Sequence, residues 1–410
     1  MSSELDQIQP SHHQPSMSVL PAGDIPVMDH KMDEDERIIV SLGYKQEFKR
    51  EFSLWTTFCV SFSVLGLLPS FASTLWYGMG YAGTAGMVWG WIIAMIFIQC
   101  VAMGMAELCS SMPTSVIWTM SGYDSPFHLS EECSNANIAS PRAIVLTSGV
   151  GGLMGWFLQV VVAYTVKDID EVLMSELGQP WASYLFQVMP RKAAVAILAL
   201  TIICGFSMGQ ACMIAASRVT YAYARDDCFP LSRIWKKVNK HTQTPVNAVW
   251  FNCVVGILST LLIFAGDLAM GALFSIGAIA AFVAFSIPIG IRIFVVKEKF
   301  RPGPWNLGRY SRVIGGTGVS FVILMLPILC LPAYTGSDLT PKEMNWTCIV
   351  YGAPMIGVLI WWIVDARRWF KGPKVNVEHH MLDRVQIGVD RVDTKGSEKE
   401  AVQQLESVDV

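Results

Sequence analysis

The chain contains eight apolar runs, each long enough for one helix to cross a membrane. A helix of about 20 apolar residues spans the hydrocarbon core of a bilayer. Helix is expected in every run because lipid offers no partner for backbone N–H and C=O groups, which a helix bonds internally. The sequence therefore predicts an all-α integral membrane protein, with runs at approximately 52–77, 85–110, 143–164, 193–222, 246–264, 272–295, 313–333 and 346–364.

The composition argues against other classes of protein. Of the 410 residues, 52% are hydrophobic and 15% are charged, and the mean hydropathy is +0.42. Soluble domains average about 25% charged residues. The net charge of -3 gives no basic excess for a nucleic-acid partner. The ten cysteines form no CxxC pair, and neither a nucleophile with a positioned base nor an HExxH motif is recognisable in the runs, so no metal, cofactor or enzyme activity is expected.

Basic residues cluster in the loops that would share one side of the membrane. Lysine and arginine are enriched before the first run and after the fourth, sixth and eighth runs, whereas the loop between the third and fourth runs is acidic. Basic loops stay on the cytosolic side, so both termini are predicted to be cytosolic. Residues 1–50 and 371–410 are polar and are predicted to be disordered cytosolic tails of a plasma-membrane protein.

Two segments place helix-breaking residues at membrane depth. In the first run, Gly66 and Pro69 interrupt the apolar sequence, and Pro69 has no N–H group to bond to the preceding turn. The second segment, 118–126, contains a glycine, a proline and the carboxylate of Asp124. Broken helices are typical of the binding sites of secondary transporters. The candidate substrate-binding residues are Gly66, Leu67, Pro69, Ser70, Trp118, Thr119, Gly122, Tyr123 and Asp124.

Less specific explanations stay open for these features. Glycine and proline are common in membrane helices, and the aromatic residues near Asp124 are also explained by packing or by the membrane interface. The segment that carries Asp124 is alternatively a cytosolic loop, in which charges need no explanation. Glu107 is either half of a buried ion pair or an interface residue whose carboxylate reaches water. The sequon at Asn345 abuts the last run, too close to the membrane for glycosylation to be expected.

Five motifs, in order, resemble the fungal choline and gamma-aminobutyrate permeases of the amino acid-polyamine-organocation superfamily. They lie at residues 62–74, 106–115, 122–136, 217–226 and 244–248, and the resemblance extends over about 45–370. The family usually has a glycine after the Ala-Arg-Asp motif, where this chain has Asp227. The resemblance implies two inverted repeats of five helices, with the first helix of each repeat unwound around the substrate. By position, 66–70 and 119–125 match these two breaks.

The resemblance also implies that part of the fold is missing. Between Ser115 and Val116 the family has its third to fifth spans and the start of the sixth, which amounts to about a hundred residues. The expected domains are therefore the first two spans at 51–115 and a partial or re-entrant helix followed by six spans at 116–370. Transport by such an incomplete fold is expected to be impaired.

The function implied by the resemblance is a permease that moves a small nitrogenous solute, such as choline, gamma-aminobutyrate or an amino acid, by alternating access, either proton-coupled or facilitative. Amino-acid carriers of the superfamily tend to grip a carboxylate with a glycine-rich turn, whereas this chain has Pro69 and leucines there. A quaternary amine needs aromatic faces and an acid, which Trp118, Tyr123 and Asp124 offer. The alternative is a non-transporting shortened isoform or an incomplete gene model, acting at most as a membrane interaction protein.

Overall fold

The described part of the chain is helical. The computed structural model describes residues 50–111, 123–228, 231–239, 244–261, 266–297, 302–331 and 345–369, with a few single or paired residues between these ranges. Within them, the only extended pairing is an isolated bridge between Phe52 and Cys133. The two predicted tails, apart from Arg50, lie outside the described residues.

The described residues form twelve α-helices of four or more residues, numbered α1 to α12 in chain order. They are α1 (Leu54–Leu65), α2 (Leu67–Ser111), α3 (Ser125–His128), α4 (Ala136–Thr165), α5 (Ile169–Leu173), α6 (Pro180–Val188), α7 (Arg191–Arg225), α8 (Ser232–Trp235), α9 (Val246–Thr260), α10 (Asp267–Ile291), α11 (Ser311–Cys330) and α12 (Thr347–Trp361). Helix α10 continues as a π-helix over Arg292–Val296, and α12 does so over Trp362–Ala366. Short 3₁₀ turns lie at Ser130–Glu132 and Gly308–Tyr310.

Six helical stretches are long and apolar enough to cross a membrane. They are Leu54–Ser111, Ala136–Thr165, Arg191–Arg225, Ile276–Val296, Gly308–Cys330 and Thr347–Ala366. The fifth predicted run corresponds to the shorter apolar helix Val246–Thr260. The first two predicted runs merge into one stretch of 58 residues. An integral membrane protein with several spans is thus supported, while the count of eight spans stays a prediction.

The 58-residue stretch Leu54–Ser111 folds back on itself at Gly83. As one straight helix it would be about 87 Å long, nearly three times the thickness of a bilayer core. The backbone leaves the helical region at Gly83, where φ is +63° and ψ is −178°, a conformation that glycine alone adopts readily. Leu67 and Trp91, which lie on opposite sides of this point in the chain, both pack on Gly155 of α4. The first arm, which precedes Gly83, and the second arm, which follows it, therefore run in opposite directions beside α4.

The segment from Tyr123 to Cys133 is buried inside the helical bundle. Every residue in it is buried, and α3 packs against α1, α4 and α7. Its backbone is joined to the chain ahead of α1, because Phe52 N–H donates to Glu132 O at 3.0 Å and Ser134 N–H donates to Phe52 O at 2.9 Å. The alternative of a solvated cytosolic loop therefore does not describe these residues.

Two apolar clusters hold the helices together. One joins the second arm of α2 to α10 and α11 around Val101, Met105 and Phe285. The other joins the first arm to the short helices α5 and α6, with Phe71 and Trp181 packed edge to face at 5.6 Å. The sequence reading predicted an acidic loop in this region but not these two helices.

Candidate functional site

The predicted break in the first run is present and is confined to one residue. Helix α1 ends at Leu65, Gly66 adopts a left-handed conformation with φ +51°, and α2 begins at Leu67. In a continuous helix, the N–H of residue 69 would bond to the carbonyl of Leu65, but Pro69 has no N–H. The hydroxyl of Ser70 donates to that carbonyl instead, at 3.0 Å. The interruption is thus a stable left-handed kink with its hydrogen bonds satisfied by Ser70.

The break faces helix α7. A side chain at Gly66 would clash with the sulfur of Met208, so α7 approaches the backbone closely here. Pro69 lies beside Gly205, one turn earlier on the same helix, and Leu67 packs on Gly155 of α4. The break is therefore held between α4 and α7.

Asp124 lies at the start of α3 and is 2% exposed. Its Oδ2 atom is 3.1 Å from Nε2 of His128, which is 4% exposed and lies one helical turn later. The helix that follows this carboxylate, α3, packs against α7. The sequence analysis did not single out His128, although the i, i+4 spacing from Asp124 was a usable signal.

Helix α7 contacts both the Gly66 break and α3. Met208 lies against the break, and α3, which begins directly after Asp124, packs against the same helix. Of the other predicted site residues, Trp118, Thr119 and Gly122 lie outside the described residues.

Tyr123 packs in an apolar cluster. It is 6% exposed, and its ring lies 5.5 Å from that of Phe285 in a tilted arrangement. The same cluster includes Val101 and Met105. This environment matches the packing explanation for Tyr123 better than an open aromatic cage.

Buried ion pairs join the helices on one side of this segment. Arg218 of α7 bonds both carboxylate oxygens of Glu132, and Arg225 donates to Glu131 at 3.1 Å. These contacts connect two of the motifs that resemble the permeases, at 122–136 and 217–226. The sequence analysis named neither arginine as a partner, because the pairs are 86 and 94 residues apart in the chain.

Glu107 forms a buried ion pair, which decides between its two predicted roles. It is 1% exposed, and its Oε1 atom accepts from Nη2 of Arg292 at 2.7 Å. The hydroxyl of Ser311 donates to its second oxygen at 2.6 Å. The carboxylate therefore ties the end of α2 to α10 and α11.

The described residues contain no group of three or more histidine, cysteine, aspartate or glutamate side chains placed to hold a metal ion.

Comparison with known proteins gives consistent results. A family model described as amino acid permease matches residues 114–354. An uncharacterized amino-acid permease of Schizosaccharomyces pombe is 44% identical over 84% of this chain and 90% of its own length. A protein of Candida albicans named "Putative polyamine transporter" is 38% identical over 85% of this chain and 91% of its own. A GABA-specific permease of Saccharomyces cerevisiae is 25% identical over 92% of each chain.

The alignment with the Schizosaccharomyces pombe permease is longer than the part of this chain that it covers. It runs over 492 residues, whereas 84% of 410 residues is about 344. About 148 aligned positions therefore have no residue of this chain opposite them.

Proposed function

Since this chain belongs to the amino acid permease family, we propose that it carries the family's binding site for a small nitrogenous solute, moved in intact relatives by alternating access. Two of the relatives are named for polyamine and GABA, which are both amines. The candidate solutes to be tested are therefore polyamines, gamma-aminobutyrate, choline and amino acids. That the relatives are permeases or transporters by name agrees with the prediction that the chain is not an enzyme.

The proposed site lies between the Gly66 break and Asp124 at the start of α3. The observation that carries it is that the break contacts α7 at Met208 and that α3 packs against the same helix. A buried carboxylate is the natural partner of a solute ammonium group. The site residues that we propose are Gly66, Leu67, Pro69 and Ser70 on one side and Trp118, Thr119, Gly122, Tyr123 and Asp124 on the other.

The hydrogen bonding of the break favours amines over amino acids. A carboxylate clamp needs free donors, but Pro69 has no N–H group. The N–H of Ser70 already donates to Gly66 O at 2.9 Å, and its hydroxyl donates to Leu65 O at 3.0 Å. On the other side, Asp124 supplies a buried carboxylate next to His128, which is an acceptor suited to an ammonium group. We therefore rank a cationic amine ahead of a zwitterion.

Proton coupling is proposed through Asp124 and His128. His128 is a buried partner of the Asp124 carboxylate, with Nε2 3.1 Å from Oδ2, so a solute ammonium group that binds this carboxylate would displace the imidazole. The neighbouring carboxylates Glu131 and Glu132 are paired with Arg225 and Arg218 on α7.

The proposed location is the plasma membrane, with both termini in the cytosol. The arginines that pair with Glu107 and Glu131 lie near helix ends next to basic loops, while the acidic helix α5 lies in the loop between α4 and α6. This distribution agrees with the positive-inside rule.

Transport by this chain is proposed to be impaired. The resemblance assigns α7 and α9 to the scaffold against which the mobile helices move, and the third and fourth spans would complete that scaffold. About 148 positions of the alignment have no residue of this chain opposite them, which is enough to hold the missing spans and supports an internal loss. Only 6% of the most apolar part of Arg191–Arg225 is buried, compared with 44% in Leu54–Ser111. The low burial of α7 is expected if its scaffold neighbours are missing.

The same low burial favours a second candidate, a non-transporting shortened isoform or an incomplete gene model. Sequencing of the transcript across Ser115 and Val116 separates the two, since an incomplete gene model predicts coding sequence between these residues in the mature transcript.

Equilibrium binding of radiolabelled solutes to the purified chain tests the site. We expect saturable binding of at least one amine, and we expect Asp124→Asn to weaken it about tenfold or more because a charge-assisted hydrogen bond is lost. The matched control is Asp170→Asn, which removes an exposed acid of α5. Equal affinity of both variants would show that Asp124 does not bind the solute.

A further inference from the structure

Asn345 connects the end of α11 to the start of α12. Its Nδ2 atom donates to the carbonyls of Leu329 and Leu331 at 2.9 and 3.0 Å. Its Oδ1 atom accepts from the N–H of Thr347 at 3.2 Å. One side chain thus satisfies carbonyls at the C-terminal end of one helix and an amide at the N-terminal end of the next. The two helix ends are therefore held side by side.

This arrangement brings two thiols together. Cys330 lies between the two residues whose carbonyls Asn345 binds, and Cys348 is the second residue of α12. The bonds of Asn345 to Leu329 O, Leu331 O and Thr347 N therefore place the two cysteines at adjoining helix ends, close enough for their thiols to interact. Cys348 is exposed and Cys330 is partly buried, so a reagent reaches Cys348 first.

We propose that Cys330 and Cys348 form a disulfide on the outer face of the membrane. The proposal rests on the orientation given above, which places the loop between α11 and α12 outside the cytosol. Disulfides persist in that compartment and are rare in the cytosol. The bond would close the loop over residues 331–347 and fix the outer ends of α11 and α12 to each other.

The chemistry is a two-step exchange with a protein disulfide of the oxidising compartment. The Cys348 thiolate attacks one sulfur of that disulfide and releases the other as a thiolate. The Cys330 thiolate then attacks the Cys348 sulfur and releases the second thiolate of the oxidant. This chain loses two protons and two electrons, and the oxidant gains both as its two thiols.

A second pair of thiols provides an internal control at the other end of the bundle. Cys109 at the end of α2 is buried and close enough to the buried Cys133 to interact with it electrostatically. The proposed orientation places this pair next to the cytosol. Proximity alone would oxidise both pairs, whereas our proposal predicts that only Cys330 and Cys348 are oxidised.

Counting oxidised cysteines in the full-length chain tests the proposal. Cells are quenched in acid, free thiols are blocked with N-ethylmaleimide in denaturant, and the protein is then reduced and labelled with a maleimide polymer that shifts its mobility. We expect two additions among the ten cysteines of the wild type. The single variants Cys330→Ser and Cys348→Ser should each give none, and Cys109→Ser and Cys133→Ser should each give two. The wild type should also be lighter than its reduced form by two hydrogen atoms.

Three results would overturn the proposal. No addition in the wild type shows that the thiols are free. Two additions that persist in Cys330→Ser show that another pair is oxidised. Failure of a membrane-impermeant maleimide to label Cys348 on intact, reduced cells shows that this end of α12 does not face outward. Because the labelling is done in denaturant, burial of a thiol does not affect the count.

Discussion

Arg218 holds Glu132 through two hydrogen bonds, from Nε to Oε1 at 2.7 Å and from Nη2 to Oε2 at 3.2 Å. Both side chains are about nine-tenths buried. The pair joins α7 to the short segment that follows Asp124, so the position of the Asp124 carboxylate depends on a contact on a different helix. Bidentate arginine and carboxylate pairs fix geometry as well as charge.

Removal of Arg218 should destabilise the protein strongly. The variant Arg218→Met leaves the Glu132 carboxylate buried without its main partner, which costs about 3 to 5 kcal/mol. Thermal unfolding in detergent micelles measures the effect. The control is Lys236→Met, whose pair with Asp227 is exposed and should be worth less than about 1 kcal/mol. Equal unfolding temperatures for the two variants would contradict the structural role of Arg218.

Gly66→Ala should destabilise the break. The left-handed conformation costs about 1 to 2 kcal/mol for a residue with a side chain, and the new methyl group meets the sulfur of Met208. Gly209→Ala is the matched control. Gly209 follows Met208 in α7 and has open space where the methyl group would go, and alanine forms helix better than glycine. Unfolding in detergent should therefore shift in opposite directions for the two variants. A neutral Gly66→Ala would show that the break is not fixed by this glycine.

Single cysteines placed in two exposed loops should report the orientation of the chain. Lys237→Cys lies in the loop before α9, and Asp170→Cys lies in α5. In a background in which the native cysteines are replaced, a membrane-impermeant maleimide applied to intact cells should label position 170 and not position 237. Labelling at position 237 would reverse the proposed orientation.

Local patterns predicted the helices well, because length and hydropathy decide which segments enter lipid. They also predicted the break at Gly66, since a glycine followed by Pro69 removes both a side chain and a backbone donor. The patterns could not identify what contacts the break, because Met208 is 142 positions away in the chain. They left the role of Glu107 open for the same reason, since its partner Arg292 is separated from it by 185 residues.

Other features escaped the sequence reading because they depend on single residues or short elements. The reversal at Gly83 lies in the glycine-rich gap between the first two predicted runs, 52–77 and 85–110, but only the structure identifies the glycine at which the chain turns. Helices α5 and α6 are shorter than a membrane span, so a search for long apolar runs passes over them, although Asp168 caps α5 by accepting from the N–H groups of Asp170 and Glu171. Glycosylation at the Asn345 sequon is not expected from the sequence because the sequon lies too close to the membrane. The structure gives a second reason, since the atom that would carry the glycan donates to two backbone carbonyls.

The central claim is that this chain retains a permease solute site but lacks part of the scaffold needed to move the solute. Solute uptake into liposomes that contain the purified chain tests this claim most directly, with a full-length relative reconstituted at equal density as the reference. We predict normal insertion of the chain and little or no saturable uptake of polyamine, choline, gamma-aminobutyrate or amino acids, where the relative transports. Saturable, solute-specific uptake at a rate comparable with that of the relative would contradict the account.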